Sequence, residues 1–186
     1  MKTNERLTNS IMVLIALLAV SRLLPHWPNF TPVAAMALFG GAAIANRWRA
    51  FLIPLAAMLL SDIALGAIFG WDYAFHSAQP FVYMSFILTV ALGRLFRNAK
   101  PWQTVLGGGT VASVLFFLIT NAAVWAMGDF YPHTMSGLLL SYEAGLAFYR
   151  DGGNFFLNSL FATYFFGGLL FVATSLVERR THAAAN

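Results

Sequence analysis

The chain contains no cysteine. That removes disulfides, thiolate metal sites and cysteine nucleophiles from its chemistry. Charge is nearly as scarce: 10% of the 186 residues are Asp, Glu, Lys or Arg, against the roughly 25% with which a soluble domain covers its surface. A surface so poor in charge has to face lipid. Also missing are HExxH, GxSxG, a phosphate loop with its following lysine, and paired carboxylates on one helix face. Enzymatic chemistry therefore has little to stand on. Without a nucleotide site the chain has no means of powering transport alone.

What fills the sequence instead is apolar. Hydrophobic residues make up 59% of it and the mean hydropathy is +0.70. Apolar runs lie at about 9–24, 32–45, 51–69, 80–96, 104–127 and 155–177, and such runs cross a ~30 Å hydrocarbon core as helices. They predict an all-α polytopic membrane protein, six transmembrane helices in a single domain over 1–186. The alternating strands of an outer-membrane barrel are not visible. Lys2 and Arg6 before the first run give it the look of a signal peptide. It reads instead as a retained first helix, since five more spans follow and the cleavage site is poor. The stretch at about 134–149 is too polar to span. In it Met135, Leu138, Leu139, Tyr142 and Leu146 recur at three- and four-residue spacing, which predicts an amphipathic helix lying in the interface, with Ser136, Ser141 and Glu143 on other faces.

The pI near 9.8 invites a nucleic-acid reading, but the basic residues are scattered in short loop clusters, which in a membrane protein is a topology signal. Lys2, Arg6, Arg47, Arg49, Arg94, Arg97, Lys100, Arg179 and Arg180 fall on one side of the six spans, and only Arg22 and Arg150 on the other. Nine against two predicts both termini in the cytoplasm of a bacterial inner membrane.

With that orientation the polar intramembrane residues converge on the outer half. Arg22, His26 and Asn29 follow the first span, within the proline-stiffened segment "SRLLPHWPNFTP". Asp62 lies in the outer half of the third span, Gln79, Tyr83 and Ser85 near the start of the fourth, Asn121 and Trp125 late in the fifth, and Asn154 and Asn158 at the start of the sixth. Ionisable and amide groups at such depth turn toward protein or a wet cavity. Arg22 is the nearest cation for Asp62, and an Arg22–Asp62 pair is expected. The cluster reads either as a substrate pocket, with Tyr142 on a lid formed by the amphipathic segment, or as helix-to-helix glue. Trp27, Trp71, Tyr73, Tyr83, Trp125 and Tyr142 also gather on this side. They fit an ordinary aromatic belt or a pocket that stacks a flat ligand. His26, His76 and His133 match no metal motif; His26 is the candidate ligand to a cofactor metal, and His182 lies in the tail. Ala37, Gly41 and Ala45 form a small-residue stripe on the second span, for internal packing or for docking a membrane partner.

The stretches "RLLPHWPNFTPVAAMALFGGA", "PLAAMLLSD" and "FFLITNAAVWAMGDFYPHTMSGLLLSYEAGLAFYR" resemble a bacterial family of small membrane proteins described as transport proteins. The resemblance runs roughly over residues 22–168, and Ser141 and "GNFFLNS" stand where that family tends to carry cysteine and a "GD" pair. In architecture the chain is also similar to the substrate-binding S components of energy-coupling-factor (ECF) transporters. That likeness implies capture of a vitamin or metal-bearing cofactor from outside, cobalamin first, with histidine, His26 first, as the protein ligand to its cobalt. It also implies partnership with a transmembrane T component and ATPases. The alanine-rich docking motif of that family is not evident in the first helix; Ala37, Gly41 and Ala45 are the nearest substitute. A non-transport accessory subunit of a membrane complex, and a small intramembrane enzyme using Asp62 and His26 as acid and base, stand as alternatives.

Overall fold

The computed structural model describes residues 2–183, with the side chains of residues 2–4, 6 and 181–183 left aside. The side chains of Lys2, Arg6 and His182 thus lie outside the described residues. The chain runs α1 (Lys2–Ser21), α2 (Val33–Ala43), α3 (Arg47–Phe69), the single turn α4 (Trp71–Ala74), α5 (Gln79–Leu95), α6 (Gln103–Met127), α7 (Met135–Leu146), a two-residue hairpin of β1 (Phe148–Tyr149) and β2 (Gly153–Asn154), and α8 (Phe155–Ala183). The all-helical class stands. Among the described residues three helices are long and apolar enough to cross a membrane, Arg47–Phe69, Gln103–Met127 and Phe155–Arg180, while Leu7–Ser21, Val33–Ala43 and Gln79–Leu95 are shorter apolar helices. This is consistent with a membrane protein.

Local chemistry moves several boundaries from their expected places. α1 stops at Ser21, whose hydroxyl bonds the Leu18 carbonyl at 2.7 Å, ahead of the proline-rich corner. α3 starts at Arg47, earlier than 51, because Asn46 caps it by accepting from the Arg49 amide at 3.1 Å. The turn α4 and the β hairpin were not expected; α4 follows Gly70, whose φ of 105° suits glycine.

α2 is the axis of the bundle. Residues 33–42 are all buried, which fits its nearly uniform apolarity. Its small residues let neighbouring backbones close in: Gly41 meets Gly93 of α5, and a Cβ on either would sit 3.0 Å from the other's Cα. Ala37 packs with Phe86 and Val90 of α5, and Ala45 lies beyond the end of α2. For Ala37 and Gly41 the partner-docking expectation is therefore corrected in favour of internal packing, while Ala45 is exposed. Arg94 and Arg97 donate to the carbonyls of Ile44 (2.8 Å) and Ala45 (3.1 Å), placing cations at the negative end of α2. Phe39 stands edge-on to Phe171 of α8 at 5.0 Å, within a core cluster that includes Ile11, Ile15 and Leu170. The first six residues of α6, Gln103–Gly108, are π-helical, and Gly108 there leaves room for Leu38 of α2.

α7 forms at Met135–Leu146, within the segment expected to be helical. Its buried face is the small-residue row Gly137, Ser141 and Gly145, while Leu139 is 61% exposed and Ser141 0%. Ser141 donates to the carbonyls of Leu138 (2.9 Å) and Asn121 (3.3 Å), and a Cβ on Gly145 would strike the Phe117 ring and the Asn121 amide. Met135, Leu139, Leu140 and Leu146 point away from the protein.

Candidate functional site

Arg22 sits one residue past α1, where the chain has left the helix and its side chain can turn back onto α3. Its Nη2 meets Asp62 Oδ1 at 2.7 Å, and its Nη1 reaches the Met58 carbonyl at 3.4 Å and the Ser61 hydroxyl. The other carboxylate oxygen, Oδ2, accepts from Gln79 Nε2 at 2.9 Å and from the Tyr83 hydroxyl at 2.7 Å. Gln79 and Tyr83 are one turn apart on α5, so both face the same acid. The carboxylate thus has a cation and two neutral donors, the compensation that a buried charge requires. Arg22 is less complete. Its Nε–H is buried without a partner, and such an orphan donor costs about 1–3 kcal/mol.

This network floors a cleft of about 540 Å³, within the size range of small-ligand sites. Val33 of α2, Met58 and Leu65 of α3, Val82 of α5 and Phe116 of α6 supply its apolar wall. The rim is polar: His26, Asn29 and Thr31 from the α1–α2 corner on one side, Asp72, Tyr73 and His76 from α4 and the following turn on the other. His26 Nδ1 lies 2.9 Å from the Trp27 carbonyl. A carbonyl only accepts, so Nδ1 carries the proton in the neutral ring and Nε2 keeps its lone pair. The corner is sharp: Phe30 N bonds the Trp27 carbonyl at 2.9 Å and Asn29 adopts a φ of 61°, a left-handed conformation that asparagine tolerates better than most residues. Asn158 of α8 holds the corner down, donating from Nδ2 to the carbonyls of Pro28 (2.9 Å) and Gly152 (2.7 Å).

Of the expected site residues, Arg22, His26, Asn29 and Asp62 line the cleft, and Tyr83 touches it through Asp62. The others are engaged elsewhere. Asn154 caps α8 by accepting from Leu157 N (2.8 Å) and donates to the Leu146 carbonyl. Asn121 bonds back to the Phe117 carbonyl, Tyr142 reaches the Leu118 carbonyl (3.2 Å), and Trp125 Nε1 donates to the Pro132 carbonyl (2.9 Å). None of these lines the cleft, and Tyr142 is no lid residue over it. Sequence reasoning put Tyr73 and His76 on the same side as the site but did not assign them, or Asp72, to it. The one signal for this far rim was the dense polar–aromatic stretch "GWDYAFHSAQP". Among the described residues no group of three His, Cys, Asp or Glu is placed to hold a metal ion.

Fold and site together define a helical bundle of membrane-like apolarity with an ion-pair-floored cleft at one end. Over residues 2–184 the chain matches a family described as "Family of unknown function (DUF6580)", and it belongs to that family. No curated protein and no solved structure matches it.

Proposed function

We propose that this chain is a six-span bacterial inner-membrane protein, both termini cytoplasmic, whose cleft opens outward and takes up a small polar solute. The observation that carries this reading is the cleft itself: about 540 Å³, half apolar wall and half polar rim, over the buried Arg22–Asp62 pair. Arg22, Asp62 and Gln79 meet at one end of the bundle, where Val33 of α2 also lines the cleft, while Arg94 of α5 and Ile44 after α2 meet at the other. Contacts at opposite ends of the short helices α2 and α5 support six crossings. α2, at ~1.5 Å per residue, does not span on its own but is sheathed by its neighbours.

Binding rather than chemistry fits the floor, where Asp62 is held by three side chains and is not free to act as a base. An S component of ECF type is the transport arrangement this suggests, with a T component and ATPases as partners. A corrinoid would have to sit mostly outside a cleft of this volume, so a vitamin-sized solute is the class carried forward from cobalamin. One observation favours the second reading, an accessory subunit with a purely structural polar cluster: both Asp62 oxygens are satisfied within the chain. Purification from cells, followed by mass spectrometry and visible absorbance of what co-purifies, decides between them. A stoichiometric small molecule supports the solute-binding reading. An empty preparation with no thermal shift from vitamins, cofactors or metals sinks it.

A further inference from the structure

We infer that the ligand of this cleft carries a carboxylate and that Arg22 receives it, an inference that rests on the cleft being a ligand site. The two charges on the floor are not equally available. Arg22's side chain keeps 11% of its surface exposed and Asp62's only 1%. Asp62 is also saturated by Arg22, Gln79 and Tyr83, so an ammonium ligand would have to displace them and leave Arg22 unpaired. Arg22 is the partner with capacity left. Its Nη1 is used by Met58 and Ser61 and its Nη2 by Asp62, but the Nε–H has no partner. Nε and Nη2 form one edge of the guanidinium, and two parallel N–H groups on one edge match the two oxygens of a carboxylate. Arg22 lines the cleft, so a bound carboxylate would take this edge by turning the guanidinium and sharing Nη2 with Asp62.

The start of α2 adds field of the same sign. Val33 lines the cleft, Pro32 has no amide hydrogen, and no side chain caps the helix, so the positive end of the helix dipole faces the same space. The remaining acid, Asp72, stands exposed on the rim, where solvent and salt screen it. Met58, Leu65 and Phe116 give the rest of the ligand an apolar wall. The ligand class is therefore an amphipathic organic acid small enough for about 540 Å³.

The test uses the purified full chain in detergent, with benzoate and nicotinate as probes, each beside its neutral amide and its amine counterpart. Thermal shift and intrinsic tryptophan fluorescence report binding. The acids are expected to raise the melting temperature saturably, and the amides and amines to leave it unchanged. Arg22→Lys keeps a cation opposite Asp62 but lacks the two-donor edge, so acid binding should weaken about ten- to a hundredfold. Asp62→Asn removes the competing anion and should tighten acid binding, which keeps the inference falsifiable if Arg22→Lys does not fold. Amides or amines that bind as well as the acids, an acid response unchanged in Arg22→Lys, weaker acid binding in Asp62→Asn, or no response to either acid would each overturn it. A non-acidic ligand found on co-purification would sink this inference alone; an empty preparation with no thermal shift from vitamins, cofactors or metals would sink the solute-binding reading with it.

Discussion

Arg22 Nη2 and Asp62 Oδ1 meet at 2.7 Å across 40 residues of sequence, and Asp62 is almost wholly out of contact with solvent. A buried pair of this kind stabilises less than its geometry suggests, because both ions lost their hydration. Breaking it from one side is another matter. Arg22→Met leaves the carboxylate with only Gln79 and Tyr83, and is expected to cost about 3–5 kcal/mol. Arg22→Met combined with Asp62→Leu should recover most of that loss. Melting curves of the single and double variants measure it, and a double variant as unstable as the single would refute the account.

Asn158 joins two segments that are otherwise far apart in sequence, the α1–α2 corner at Pro28 and the hairpin turn at Gly152. Asn158→Leu leaves both carbonyls without their donor, at about 1–3 kcal/mol. Hydrogen exchange should quicken together at residues 23–31 and 149–153, and remain unchanged across α7. Loosening of only one segment would show that the amide does not couple them.

α7 is held by absence of side chain. Gly145→Val drives a branched carbon into Phe117 and the Asn121 amide, so overpacking of about 1–3 kcal/mol is expected. Limited proteolysis of the 128–153 segment should then accelerate. Leu139→Ser, on the outward face of the same helix, should change stability by less than about 0.5 kcal/mol in detergent. Equal sensitivity of the two positions would mean that α7 packs by its leucines instead.

That helix shows where the sequence was legible and where it was not. Helix order and the Arg22–Asp62 pair followed from run lengths and from the high cost of an unpaired charge at depth, arguments that do not depend on packing detail. The periodicity of Met135, Leu138, Leu139, Tyr142 and Leu146 announced the helix, but not that its protein-facing side would be Gly137, Ser141 and Gly145, which close backbone approach selects. Asn121, Trp125, Tyr142 and Asn154 were expected around the cleft, but each found a backbone carbonyl or amide within a few residues or on a neighbouring helix. Asp72, Tyr73 and His76 depended on the turn at Gly70, which no periodicity announces.

The absence of cysteine makes the number of membrane crossings directly measurable. Single cysteines at Ser77, Asn98, His133 and Glu178, all exposed positions, can be labelled in spheroplasts with a membrane-impermeant maleimide. With six crossings and cytoplasmic termini, Ser77→Cys and His133→Cys should react from outside, and Asn98→Cys and Glu178→Cys only after permeabilisation. If just Arg47–Phe69, Gln103–Met127 and Phe155–Arg180 crossed, residues 70–102 would lie on one side. Ser77 and Asn98 would then label alike and His133 oppositely. The pattern of lysine and arginine, nine residues against two, argues for the first result. It would bring the rim of His26, Asp72 and His76 to the periplasmic face, where a solute can reach Arg22 without entering the cell.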